Sequence, residues 1–176
     1  MAEEYGPQLI VLEYNIGATF ANNVFGNYGL NGTPWGVFNG SFKISGGSDS
    51  TYAQYKERIA NLLAQQSSLP SLMSLRGSVA NVKSEIAVDA VLTNLSAISL
   101  MNASLYAVAY ESVVDADGIK HNMVRGITPT IPIASLGAGE SVSIRLQSSL
   151  AYNNYYGVVV ILKSNTGQII QAYPAR

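Results

Sequence analysis

Residues 26–47 read GNYGLNGTPWGVFNGSFKISGG, and this stretch decides how the first third of the chain is organised. In order it is a helix end, a tight turn, a proline-fixed loop, a short apolar strand, an Asn-Gly turn and a second strand. Asn39-Gly40 lies between Gly36-Val37-Phe38 and Ser41-Phe42-Lys43-Ile44. That is a hairpin signal, because a type I′ turn needs positive φ at both central residues. Pro34 has a fixed φ and no backbone donor, so it belongs at a strand's entry or edge. The stretch defines a fold element and carries no catalytic group.

Upstream, LIVLEY at 9–14 is a continuous apolar run of strand length, as expected for a strand buried on both faces of a mixed sheet. Ala18 to Tyr28 has room for a short helix, with Thr19 as N-cap and Gly29 as its stop. Downstream, Ser48-Asp49-Ser50 precedes a helix at Thr51 to Gln66. Its apolar positions Tyr52, Tyr55, Ile59, Leu62 and Leu63 fall on one face. Ser67-Ser68-Leu69-Pro70 reads as a linker. The expected division is therefore 1–68 and 69–176.

Beyond the linker the apolar period changes to two. Strands are predicted near Leu72–Asn81, Lys83–Thr93, Ala103–Val114, Ile119–Ile127, Glu140–Gln147, Tyr155–Lys163 and Gln168–Tyr173. Asp117-Gly118 and Thr166-Gly167 are hairpin turns, and Gly137-Ala138-Gly139 is a loop. About seven strands over roughly a hundred residues fit an antiparallel β-sandwich of immunoglobulin-like size. The Cys–Trp–Cys core of an antibody domain is absent. The expected class is α+β.

Composition narrows the function. Apolar residues make up 48% of the 176 and mean hydropathy is +0.17, which is a folded chain. Charged residues are only 12%, about half the ~25% of ordinary soluble domains. Ser, Thr, Asn, Gln, Gly and Tyr take their place, which suits an extracytoplasmic or assembled protein. With a net charge of −1 and scattered cations, a nucleic-acid footprint is not expected. No cysteine means no disulfide, thiolate metal site or thiol chemistry. No apolar run approaches the ~20 residues of a membrane span. The start MAEEYGPQ is acidic and lacks the apolar core of a signal peptide, so export implies a removed signal or a fragment start.

Tyr28-Gly29-Leu30-Asn31-Gly32-Thr33-Pro34, followed by Val37-Phe38-Asn39-Gly40, resembles the cis-proline loop and β-hairpin of thioredoxin-like proteins. LIVLEYN resembles the strand before that loop, and TYAQYKERIANLL the closing helix. With a β-sandwich after the helix, the chain is similar to the Omp28-related, extracytoplasmic thioredoxin-like family. Val108-Ala109-Tyr110-Glu111 and His121-Asn122-Met123-Val124-Arg125 also look like that family.

The resemblance implies a partial thioredoxin-like α/β unit followed by the sandwich. It covers only the second half of a thioredoxin fold, because the strand and helix carrying Cys-x-x-C have no counterpart here. Thiol–disulfide exchange needs a thiolate, so this polypeptide alone cannot perform it. In the family the residue before the cis-proline pairs its backbone with an extended peptide. By resemblance Thr33 takes that role, with Pro34 and Trp35 beside it. The plain alternative is that Pro34 shapes a turn and Trp35 is core.

The remaining groups offer little chemistry. His121 is the single histidine, with no neighbouring carboxylate pair in sequence, and reads as a surface strand residue. Asp115-Ala116-Asp117-Gly118 opens like a calcium loop but lacks the later ligands, so it reads as a hairpin turn. Gly46-Gly47 could cradle an anion, but the phosphate-loop Lys is missing. The Asn-x-Ser/Thr triplets at Asn94 and Asn102 are the better glycan candidates, because those at Asn31 and Asn39 sit in turns the fold needs. Tyr152, Tyr155 and Tyr156 are interface candidates, tyrosine giving large amphipathic contact area.

No cofactor, metal ligand set or catalytic residue set is expected. The leading expectation is a non-catalytic, extracytoplasmic interaction protein with a protein partner at the Thr33–Pro34–Trp35 edge, or a fragment of a longer redox protein. The alternative is a structural subunit of a cell-surface layer or filament, self-assembled through β-strand pairing.

Overall fold

The computed structural model describes all residues except 1, 16, 69–72, 83–84, 152–155 and 176. The chain is α+β and mostly sheet. It divides into two compact units, Met1–Val11 with Ile16–Ser71 and Leu12–Asn15 with Leu72–Arg176.

The first unit holds helix α1 (Ala2–Tyr5), a 3-10 turn at Gly6–Gln8, helix α2 (Thr19–Tyr28), strands β1 (Trp35–Phe38) and β2 (Phe42–Ser45), and helix α3 (Asp49–Ser68). β1 and β2 form the hairpin read from Asn39-Gly40, whose φ values are 46° and 70°. The turn closes through Ser41 N–H to the Phe38 carbonyl at 3.1 Å. Gly29 ends α2 at φ 61°, while Ala18 occupies the N-cap position and Thr19 is already helical. Ser48 starts α3, its Oγ accepting from Thr51 N–H at 3.3 Å.

The apolar stripe of α3 differs from the expected one only in its first turn, at Tyr52. Tyr52 is 46% exposed, with the Lys56 ammonium 5.8 Å from its ring centroid. Tyr55 and Ile59 face inward as expected, and Thr51 rather than Tyr52 continues their row at a spacing of four. Ser67 and Ser68 end α3 and are not linker, whereas 69 and 70 lie outside the described residues.

LIVLEY also departs from expectation. Residues 9–14 are half-buried, and the ladder described for them is a parallel bridge between Glu13 and Met123, both in the second unit. An apolar run identifies strand-forming residues but not which sheet will take them. Here the backbone bonds are made to another strand's edge.

The second unit contains β3 (Met73–Val82), β4 (Glu85–Asn94), β5 (Leu100–Val114), β6 (Lys120–Ile127), β7 (Ile131–Leu136), β8 (Ser141–Ala151), β9 (Tyr156–Ser164) and β10 (Ile169–Ala175). One sheet runs β3-β4-β8. The other runs β10-β9-β5-β6, with β7 also on β5. All pairs are antiparallel.

Alternate residues of both sheets meet in one apolar cluster: Leu75, Val88, Leu92 and Leu146 from the first, Leu105, Ile133, Val160 and Leu162 from the second. At Gly77 of β3 an added Cβ would stand 3.0 Å from Val160 Cγ2 and 3.4 Å from Ala175 Cβ. The missing side chain there lets the sheets approach closely.

β7 is the strand the sequence reading omitted, and two prolines explain the omission. Pro129 precedes it and Pro132 lies within it. β7 pairs only with β5 among the described strands, so Pro132 costs no ladder bond on its outer side. β6 and β7 follow each other along the same edge of 15-residue β5, covering Val108–Val114 and Leu100–Leu105. Thr128 bridges the break. Its N–H donates to the Ala107 carbonyl at 2.9 Å, and its Oγ1 accepts from Ala107 N–H at 2.9 Å. A side-chain hydroxyl thus replaces a backbone carbonyl in the ladder.

Candidate functional site: the Pro34 loop and its surroundings

Thr33 and Pro34 are exposed, and Trp35 is half-buried at the start of β1. The Thr33–Pro34 peptide is cis. The loop is held from below. Gly46 N–H donates to the Pro34 carbonyl at 2.9 Å, and Gly47 packs on the proline ring, where a Cβ would lie 3.2 Å from Cγ. Gly46 sits at φ 105°, a conformation that favours glycine. The Gly46 amide is committed to Pro34, which removes it from the anion cradle weighed for Gly46-Gly47.

Tyr55 of α3 completes the support. Its hydroxyl donates toward the Gly46 carbonyl at 3.2 Å, and the Ile44 carbonyl is 3.4 Å away. Its ring lies against Gly36, where a Cβ would be 3.0 Å from Cζ, and meets Phe38 edge-on at 5.4 Å. Burial raises the Tyr55 pKa above the usual phenol value, partly offset by a backbone hydrogen bond at Gly36. The phenol therefore stays a hydrogen-bond donor at neutral pH. Lys43 of β2 donates to the Tyr28 carbonyl at the end of α2. Among the described residues β1 pairs only with β2, leaving its other edge without a strand.

Sequence reasoning named Thr33, Pro34 and Trp35 but not the supports Tyr55, Gly46 and Gly47. The available signal was the i, i+4 row Thr51–Tyr55–Ile59 together with the glycine pair after β2.

The other candidates are scattered. Tyr152 and Tyr155 lie outside the described residues. Tyr156 opens β9, its backbone opposite Glu111. Asn102 is exposed in β5, with φ 51° between Met101 and Ala103.

Asn94 is corrected as a glycan acceptor in the folded chain, because its side chain is fully buried. Its Nδ2 donates to the Ile98 and Leu136 carbonyls at 2.8 and 2.9 Å. Its Oδ1 accepts from Ser96 N–H at 3.0 Å and Ser96 Oγ at 2.7 Å. Both halves of the amide are spent on the fold.

His121 lies partly exposed in β6, as expected of a surface strand residue, and folding brings to it the carboxylates that its sequence neighbourhood lacks. Nδ1 lies 2.9 Å from Glu13 Oε2 and Nε2 lies 3.0 Å from Asp115 Oδ2. The Asp115 Oδ1 accepts from Asp117 N–H and Ile119 N–H at 3.0 and 2.8 Å, which builds the Asp-Gly turn. Hydrogen bonds to Asp115 and Glu13 raise the His121 pKa, and the His121 contact holds Asp115 below the usual carboxylate range.

Among the described residues no three or more His, Cys, Asp or Glu stand where they could hold a metal ion. Among them also, no helix is long and apolar enough to cross a membrane.

No protein-family model matches the chain, and no curated protein matches it in sequence. Solved structures do match in fold. HBP35 of Porphyromonas gingivalis superposes with a TM-score of 0.54 at 13% identity, over 66% of this chain and 45% of that one. The chain thus spans less than half the length of that HBP35 chain.

A domain of the outer membrane lipoprotein Omp28 from Porphyromonas gingivalis gives a TM-score of 0.41 at 8% identity, over 61% of this chain and 89% of that one. A Bacteroides uniformis β-glucuronidase gives 0.40 at 17% identity, over 57% of this chain and 12% of that one. Those two values are too low to define a common fold. The likeness to HBP35 is one of fold.

Proposed function

We propose that the chain is a non-catalytic, extracytoplasmic interaction protein that takes up an extended peptide beside Thr33, Pro34 and Trp35, on a thioredoxin-like loop. The observation that carries this reading is the combination of exposed Thr33 and Pro34 with a β1 edge that no described strand occupies. An extended partner can add to such an edge through backbone hydrogen bonds and place alternate side chains against Trp35. The Gly46, Gly47 and Tyr55 contacts hold the loop in one conformation before binding, which lowers the ordering cost of association. The 12% charge content and the family resemblance of the Pro34 loop favour an extracytoplasmic setting. The immunoglobulin-like second part is, on this reading, the scaffold that accompanies the binding loop.

The test is a library of random heptapeptides panned against the intact chain, followed by titration of the selected peptides into isotope-labelled protein. Amides of residues 33–38 are expected to shift most, and Trp35→Ala is expected to weaken binding roughly tenfold or more, as loss of a central aromatic anchor does. No enrichment, shifts centred elsewhere, or an unchanged affinity for Trp35→Ala would overturn the reading.

A further inference from the structure

Residues 12–15 meet the outer edge of β6 at Glu13. Glu13 N–H donates to the Asn122 carbonyl at 2.9 Å, and Val124 N–H donates to the Glu13 carbonyl at 2.9 Å. The Glu13 side chain adds a contact with His121, two residues before Met123 and so on the same face as the bridge. We propose that His121 is a pH-sensitive clasp: as imidazolium it keeps residues 12–15 on the β6 edge, and as neutral imidazole it lets that edge open.

The chemistry follows from the number of protons. An imidazolium donates from both nitrogens, so it serves Glu13 and Asp115 together. A neutral ring carries one N–H, so one carboxylate then faces a lone pair. The two competitors are unequal. The Asp115 carboxylate is fixed by two backbone amides of its own turn, whereas the described partner of the Glu13 carboxylate is His121 itself. The contact with Glu13 is therefore the one that gives way.

The charged groups facing His121 are Glu13 from residues 12–15 and Asp115 from the β5–β6 turn. Across the ladder its partner is the apolar Val113, and Lys120 alternates to the other face. Arg125 and Glu111 are engaged with each other at 2.7 Å.

Both carboxylates raise the His121 pKa, so the contribution is present below the unfolded value near 6.5 and is lost as pH rises through the folded one. At the acid end it fades when Asp115, lowered from its usual value, takes up a proton. The clasp is thus tightest in mildly acidic solution. Opening exposes the unpaired N–H and C=O groups of β6, an edge on which another strand can pair.

The test is amide hydrogen exchange by NMR on the intact chain at pH 5.5 and 8.5, expressed as protection factors. Protection at Glu13 and Val124 is expected to fall roughly two- to fivefold at the higher pH, the range of a partly exposed ion pair. Val160, in the buried cluster, serves as the internal control. His121→Gln should give low, pH-independent protection at both amides. Glu13→Gln, which keeps the backbone bonds, should also abolish the pH dependence and serves if His121→Gln does not fold. A flat wild-type profile, or a pH dependence that survives in either folded variant, would overturn the clasp.

Discussion

Asn94→Ala is expected to lower the stability of the second unit by about 3 kcal/mol, a fall in thermal midpoint on the order of 10 °C. The side chain is fully buried and makes four hydrogen bonds, two given and two taken. Alanine removes all four partners at once. The Leu136 carbonyl is left buried without this donor, and Ser96 loses the acceptor that fixes the loop between β4 and β5.

Each unsatisfied buried group costs about 1–3 kcal/mol. The total stays below the sum because the loop can relax outward, Ile98 being 75% exposed. The backbone of Asn94 adds a second role. Its N–H donates to the Glu140 carbonyl and its carbonyl accepts from Gly139, so the residue ties the β7–β8 loop to the end of β4. Asn94→Asp should be no better tolerated, since a carboxylate would face two carbonyl oxygens. Calorimetry showing a loss under about 1 kcal/mol would mean that water replaces the amide there, and that the knot is not structural.

Leu105→Ala is the second large effect, expected to cost about 2–5 kcal/mol. Leu105 is fully buried on β5, opposite Leu162 of β9 on one side and Ile131 of β7 on the other. Across the cluster it shares the core with Leu75, Val88 and Leu146. Neighbours held by ladders on both sides cannot collapse into the space left behind, which is the condition under which truncation costs most. Urea unfolding should show a lower midpoint with an unchanged slope. Ile98→Ala, at a site 75% exposed, should change stability by no more than about 0.5 kcal/mol. Comparable losses for both would sink the assignment of this cluster as what holds the two sheets together.

Much of this fold was legible because its turns are made by residues with few alternatives. Asn39-Gly40, Gly118 and Gly167 all adopt the positive φ that their turn positions require. Period-two patterning located seven of the eight strands of the second unit. Pro132 hid the eighth, because a proline reads as a break unless the strand is known to be an edge. Tyr52 was misplaced because an amphipathic tyrosine fits either face of a helix.

The site was less legible for a reason of distance. Glu13 lies 108 residues before His121, and Asn94 contacts a carbonyl 42 residues on. Such pairs exist only once the sheets are paired, and no local spacing announces them. Thr33, Pro34 and Trp35 were readable as a loop, while its support by Tyr55 depends on how α3 turns its face toward the hairpin.

The strand order β3-β4-β8 bears on how the molecule is made. β3 and β4 are joined locally, but β8 reaches β4 only across the chain between them, as at Thr93 and Ser141, 48 residues apart. Closing a flexible loop of that length costs about 3 kcal/mol beyond a constant. The segment between them can shorten that loop by pairing β5 with β6 and β7 first. Docking of β8 is then the late, rate-limiting event of refolding, in the slow range typical of non-local β pairing. Pulse-labelled exchange should therefore find the β5 and β6 amides protected before those of β8. Simultaneous protection of all three would show that the two sheets nucleate together.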